Sequence, residues 1–301
     1  MSVPAILTST IQLDPGATLQ GDTGALRNPF RSGMYIHSVK FRVDMAAAST
    51  GDGTMLPIYA QLNMGRHWLM PRQVPVYRLD KVYVAGTDIG ATLAAVQEWN
   101  CYIWRFPKPL YVPEGEVLVP NLYYSPDQGS NDTDVDVVVS YNVSSTEDEP
   151  KEINVPFANV WVGAGSNQAD AATVEASNEN DLVNPYQEDV FVKRMCGIIT
   201  REFRTVDTGG CSDAAINAPA IGNSLLNLTI ISSSGQSVGR DPIPFNHLFA
   251  QDRSWTINTW LKSHAYMLVT AYEDLSSMTT SGGGTRVRPQ IVINGYRRVR
   301  I

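Results

Sequence analysis

The chain has 301 residues, 43% hydrophobic and 18% charged, which is enough apolar material for one large core or two ordinary ones and excludes a chain disordered throughout. With 23 basic against 30 acidic side chains its formal charge is −7, which argues against a protein that coats nucleic acid over its whole surface. No apolar run approaches the ~18 residues of a membrane-spanning helix, and residues 1–26 lack the basic start and apolar stretch of a secretory signal.

Taken in chain order, residues 1–26 are polar and rich in Thr, Gly and Gln, and read as an N-terminal arm. Asn28-Pro29-Phe30 introduces MYIHSVKFRV at 34–43, whose alternation places Tyr35, His37, Val39, Phe41 and Val43 on one face. Residues 56–62, 74–84, 100–106, 116–124 and 135–143 are further strand signals, punctuated by prolines that strand starts and edges tolerate and helix interiors do not. Only DIGATLAAVQE at 88–98 reads as a helix. The acidic stretch NVSSTEDEPKE at 142–152 reads as a linker. Beyond it, strand signals return at 189–203, 225–231, 243–249, 254–261, 265–272 and 286–299.

The two series are copies. Asn28-Pro29-Phe30 recurs as Asn184-Pro185-Tyr186, 156 positions on, and WNCYIW (99–104) recurs as WTINTW (255–260) at the same offset. VPVYRL (74–79) and LPIYAQL (56–62) match IPFNHL (243–248) and LLNLTII (225–231) at an offset of 169, and VDVVVSYNV (135–143) is paired with QIVINGYRRV (290–299). Short strands with long crossovers predict an all-β chain of two tandem eight-stranded jelly-roll sandwiches. The divisions are 1–26 as arm, 27–145 as first jelly roll, 146–183 as linker and start of the second module, and 184–301 as second jelly roll.

Signs of chemistry are few. No nucleophile elbow, phosphate-binding loop, dinucleotide fingerprint or HExxH motif is present, and His37, His67, His247 and His264 lie far apart. Cys101, Cys196 and Cys211 are odd in number and widely spaced, as expected of buried thiols in a reducing compartment. Asp132, Asp134 and Asp136 recur at period two, so a strand beginning there would align three carboxylates that Ca²⁺ could relieve. The missing glycine and position-12 glutamate of a calcium loop favour a solvated acidic loop, and no other cofactor is expected. Arg286, Arg288, Arg297, Arg298 and Arg300 crowd the last 16 residues. They would either guard a sheet edge against pairing or face anionic lipid or phosphate.

In its whole length, and on architecture alone, this duplicated, enzyme-motif-free chain resembles the double jelly-roll major capsid proteins of icosahedral bacteriophages with an internal membrane, the corticovirus and finnlakevirus type. The resemblance implies a non-enzymatic virion protein, assembled in the host cytoplasm, that forms homotrimers mimicking hexamers. Its partners would be neighbouring capsomers, a penton or spike protein at fivefold vertices and the internal viral membrane, without direct contact to nucleic acid. The alternative is a tandem-sandwich glycan- or receptor-binding protein, a spike or lectin, stacking Trp68, Trp161, Tyr123 or Tyr124 on sugar rings. A bicupin enzyme would need clustered histidines that the chain lacks.

Overall fold

The computed structural model describes residues 4–13, 25–44, 54–55, 58–76, 101–124, 135–162, 166–167, 174–175, 182–203, 211–212, 225–231, 243–244, 254–273 and 285–300. The first half contributes β1 (Pro4–Leu13), β2 (Leu26–Arg27), β3 (Gly33–Asp44), β4 (Thr54–Met55), β5 (Ile58–Met64), β6 (His67–Trp68), β7 (Val74–Pro75), β8 (Cys101–Val112), β9 (Val117–Tyr124) and β10 (Val135–Thr146). The second contributes β11 (Glu152–Val162), β12 (Ser166–Asn167), β13 (Val174–Glu175), β14 (Leu182–Val183), β15 (Val190–Phe203) and β16 (Cys211–Ser212). It closes with β17 (Leu225–Ile231), β18 (Ile243–Pro244), β19 (Ser254–Leu261), β20 (Tyr266–Glu273) and β21 (Thr285–Arg300). The expected helix at 88–98 lies outside the described residues.

Strand order identifies the fold. The first half forms one sheet in the order β1-β10-β3-β8 and a second in the order β2-β9-β5-β6, with β7 also on β5. The second half repeats this as β11-β21-β15-β19 and as β13 and β14 on β20, followed by β17 and β18. First strand beside last, third between last and sixth, is the jelly-roll order, and it occurs twice. The pairings are antiparallel throughout. One small bridge crosses the halves, where β4 pairs with β16.

The copies agree down to irregularities. A register shift falls between Ile36 and Ser38 on β3 and between Val192 and Arg194 on β15, 156 positions on. This bulge corrects the simple alternation expected of 34–43. Met34 and Ile36 are buried before it and Val39 and Phe41 after it, so the inward phase switches at exposed His37. It also corrects the tryptophan alignment. Val39 faces Trp104 and Met195 faces Trp255, so Trp104 matches Trp255 at an offset of 151, not Trp260.

Asn28 and Asn184 explain why the Asn-Pro-aromatic signal recurs. The Asn28 amide Nδ2 donates to the carbonyls of Ser32, Val112 and Pro113 at 2.9, 3.2 and 3.0 Å, while its Oδ1 accepts from Phe30 N–H at 2.9 Å. The Asn184 amide donates to Glu188, Leu261 and Lys262 at 2.9, 3.2 and 3.0 Å, and its Oδ1 accepts from Tyr186 N–H at 3.1 Å. Each clamps the turn between the sixth and seventh strands of its own sandwich. Gly115 in one turn and His264 in the other both take left-handed backbone, at φ of 75° and 56°.

Two expected boundaries move. Residues 4–13 are not an arm: β1 pairs along its length with β10, and Ile11 and Leu13 are buried in the first core. Alternation of Ile6, Thr8 and Thr10 with Ala5, Leu7 and Ser9 suits an edge strand despite its polarity. The linker shrinks to 147–151, because β10 runs to Thr146 and β11 begins at Glu152.

Candidate functional site

The feature that unites the halves is their junction. β11 is buried on both faces. Val155, Phe157 and Trp161 are buried at its odd positions and Pro156, Ala158 and Val160 at its even ones, and of these Phe157 and Trp161 stand outside the apolar core of the first half. Ala158, Val160 and Val292 belong to one continuous apolar cluster with Leu69, Met70, Trp104 and Phe106 of the first half. The backbone ties the same seam, Ala158 N–H donating to Leu69 O at 3.0 Å. Continuous apolar burial of this kind makes the two sandwiches one mechanical unit.

A polar cluster closes one end of the junction, and the Asn184 turn delivers it. Within that turn Glu188 Oε2 lies 3.0 Å from Arg297 Nη1, and the Arg297 guanidinium sits 3.8 Å from the Tyr186 ring centroid. Phe157 meets the Tyr186 ring edge-on with centroids 6.0 Å apart, and the Tyr186 hydroxyl donates to Trp68 O at 2.7 Å. Burial pushes the Tyr186 phenol up to about 12, against the opposing pull of Arg297, so it is a neutral donor at any ordinary pH.

His67 stands beside this cluster, and its pKa is lowered, first by burial and then by the charges of Arg297 and Arg66. The unfolded chain therefore binds the proton more readily than the folded one, and stability falls as pH drops through 6.5 towards the lower folded value. Melting temperatures measured between pH 7.5 and 5 are expected to fall less steeply in His67→Gln than in the parent protein. Parallel curves would remove His67 from the junction's pH response. At the opposite side of the turn, Lys262 Nζ lies 2.7 Å from Asp189 and holds its carboxyl below the usual range, while Asp189 also accepts from Ser263 N–H at 3.0 Å.

The sequence-selected residues do not converge. Arg297 is only 4% exposed and is spent on Glu188 and Tyr186, so it faces neither lipid nor phosphate. Arg298 and Arg300 are exposed, and Arg300 Nε lies 3.6 Å from Glu152 Oε1. Arg286 and Arg288 stand opposite Glu202 and Thr200 in the ladder. Edge protection is not the role of this series, because β21 lies between β11 and β15 and is paired on both sides. Asp136 is exposed on β10 opposite Gln12 and Asp44, whereas Asp132 and Asp134 lie outside the described residues. Among the described residues no group of three His, Cys, Asp or Glu side chains is placed to hold a metal. His37 Nε2 meets Ser144 Oγ at 2.9 Å, and Cys196 is a buried thiol in contact with Asn294.

Trp161 is fully buried and cannot stack on a sugar, which corrects its place among the candidate glycan platforms, whereas Trp68 is 40% exposed. Tyr123 and Tyr124 stand on β9 opposite Tyr59 and Ile58. The run NVPFANVWV (154–162), apolar but for Asn154 and Asn159, is the sequence mark of a strand covered on both faces and the signal that points to the junction.

No family model matches the chain, and no curated protein matches it. Among solved structures it is similar to the major capsid protein P2 of bacteriophage PM2, at 9% identity and a TM-score of 0.44 over 97% of this chain and 98% of that one. It is similar also to the Faustovirus major capsid protein, at 6% identity and a TM-score of 0.34 over 99% and 91%. A weaker likeness, at 11% identity and a TM-score of 0.21 over 99% of this chain and 75% of that one, is to VP2 of infectious bursal disease virus.

Proposed function

We propose that this chain is a major capsid protein, a structural subunit that assembles with itself into a virion shell. The observation that carries the reading is the strand order: one jelly roll written twice, with the copies fused side by side through a continuous apolar seam. Three such chains around a threefold axis present six similar sandwiches and fill a sixfold lattice position. On this reading the finer arrangement is an icosahedral shell of pseudo-hexameric trimers around an internal membrane. Neighbouring capsomers and a penton or spike protein complete the contacts, as in phages of the corticovirus and finnlakevirus type such as the Flavobacterium-infecting phage FLiP. Exposed Arg298 and Arg300 are then membrane-facing candidates, with Arg286 and Arg288 further along the same strand.

Light scattering on the purified chain is expected to give three times the 33.0 kDa chain mass, and negative-stain images hexagonal particles or closed shells. A stable monomer that binds on a glycan array would overturn the proposal in favour of a receptor-binding protein.

A further inference from the structure

We propose that copies of this chain join head to tail, the outward face of β1 in one copy packing on β19 of the next. The contact repeats between molecules the junction that β11 and β8 make within one molecule. It deepens the capsid reading and rests on it for the number of copies.

The argument comes from comparing each junction strand with its duplicate. Register aligns Ile6 with Ala158, because Ile6 faces Asn142 beside Ser38 while Ala158 faces Asn294 beside Arg194. Ala158 is fully buried against the first sandwich, yet Ile6 is 74% exposed. The neighbours follow suit. Pro156 and Val160 are buried, and their counterparts Pro4 and Thr8 are exposed. On the facing side, Tyr111 of β8, opposite Tyr35, is buried, whereas its register match Trp260 of β19, opposite Phe191, is 41% exposed. Trp260 packs with Phe191 and Tyr296 at centroid distances of 5.1 and 6.3 Å, so its ring is held ready in a small aromatic cluster.

β11 and β8 are therefore covered at the internal junction, while their duplicates β1 and β19 leave Ile6 and Trp260 exposed. Ile6 and Trp260 are two of the three large hydrophobic residues exposed among the described ones. A single chain leaves one copy of each half-seam unused, which is the condition for a heterologous contact that closes into a ring. The outward face of β1 is also the more polar version: Thr8, Thr10 and Gln12 flank Ile6, beside Ser140 and Asn142 where the internal seam has Val292 and Asn294. That composition suits subunits that fold separately before they meet.

Two variants test the seam, each blocking one side: Ile6→Asp and Trp260→Asp. Each alone is expected to run as a monomer by light scattering, with an unchanged far-UV circular dichroism spectrum. Their equimolar mixture is expected to give a dimer and no larger species, since one intact β19 meets one intact β1. Thr8→Arg, at another exposed position on the same face, is expected to lower the mass as Ile6→Asp does, and guards against a folding defect peculiar to one variant. A variant that keeps the parent mass, or a mixture that stays monomeric, overturns the seam and leaves the capsid reading standing. A monomeric parent chain overturns both.

Discussion

Asn184→Ala is expected to lower the free energy of unfolding by about 3 kcal/mol, and to loosen the junction as well as the turn. The amide is fully buried, and its removal strands the carbonyls of Leu261 and Lys262 and the N–H of Tyr186. Each buried group left without its partner costs roughly 1–3 kcal/mol. Asn184→Asp is expected to be no better, because a carboxylate cannot donate to three carbonyls. Asn28→Ala should cost a similar amount, as Asn28 makes the same set of bonds in the first sandwich. Only the Asn184 variant should disturb the Tyr186–Trp68 contact, and with it tryptophan fluorescence at the junction. Urea unfolding followed by fluorescence and circular dichroism checks both. A loss below about 0.5 kcal/mol, the ordinary surface effect, would remove the clamp from the account.

Arg297→Ala is the second large effect, expected at about 3 kcal/mol. The guanidinium lies between Glu188 and the Tyr186 ring, and truncation leaves a cavity and a carboxylate without its partner. Glu188 keeps partial access to water, which holds the loss to the lower end of the range for broken buried pairs. Arg297→Met combined with Glu188→Gln should come within about 1 kcal/mol of the parent, since replacing both members of a buried ion pair without leaving a charge behind is often neutral. Equal losses in the two variants would mean that the charge, not the volume, holds the junction.

Much of this was legible in the sequence. The Asn-Pro-aromatic turns and the 156-residue offset betrayed the duplication, and strand periodicity gave the class. What escaped had physical causes. β1 reads as an arm in the sequence because only one of its faces is buried, and that face meets the core with Ala5, Leu7 and Ser9 before Ile11 and Leu13. The tryptophan pairs matched in spacing by coincidence, since between Arg105 and Leu110 the chain spends two more residues than between Thr256 and Thr259. Arg297 is indistinguishable in the sequence from its exposed neighbours, because sequence shows a charge but not the carboxylate and ring that receive it. The apolar run of β11 marks a covered strand but not what covers it, since β8 and β11, 40 positions apart, meet only on folding.

The tether at 147–151 spans at most about 18 Å when fully extended. So short a leash, with the apolar seam beside it, keeps the twin sandwiches from swivelling against each other. A lattice built from them would have to bend at its joints between tiles, each tile staying stiff, and its radius would be set by the angle at which separate chains meet.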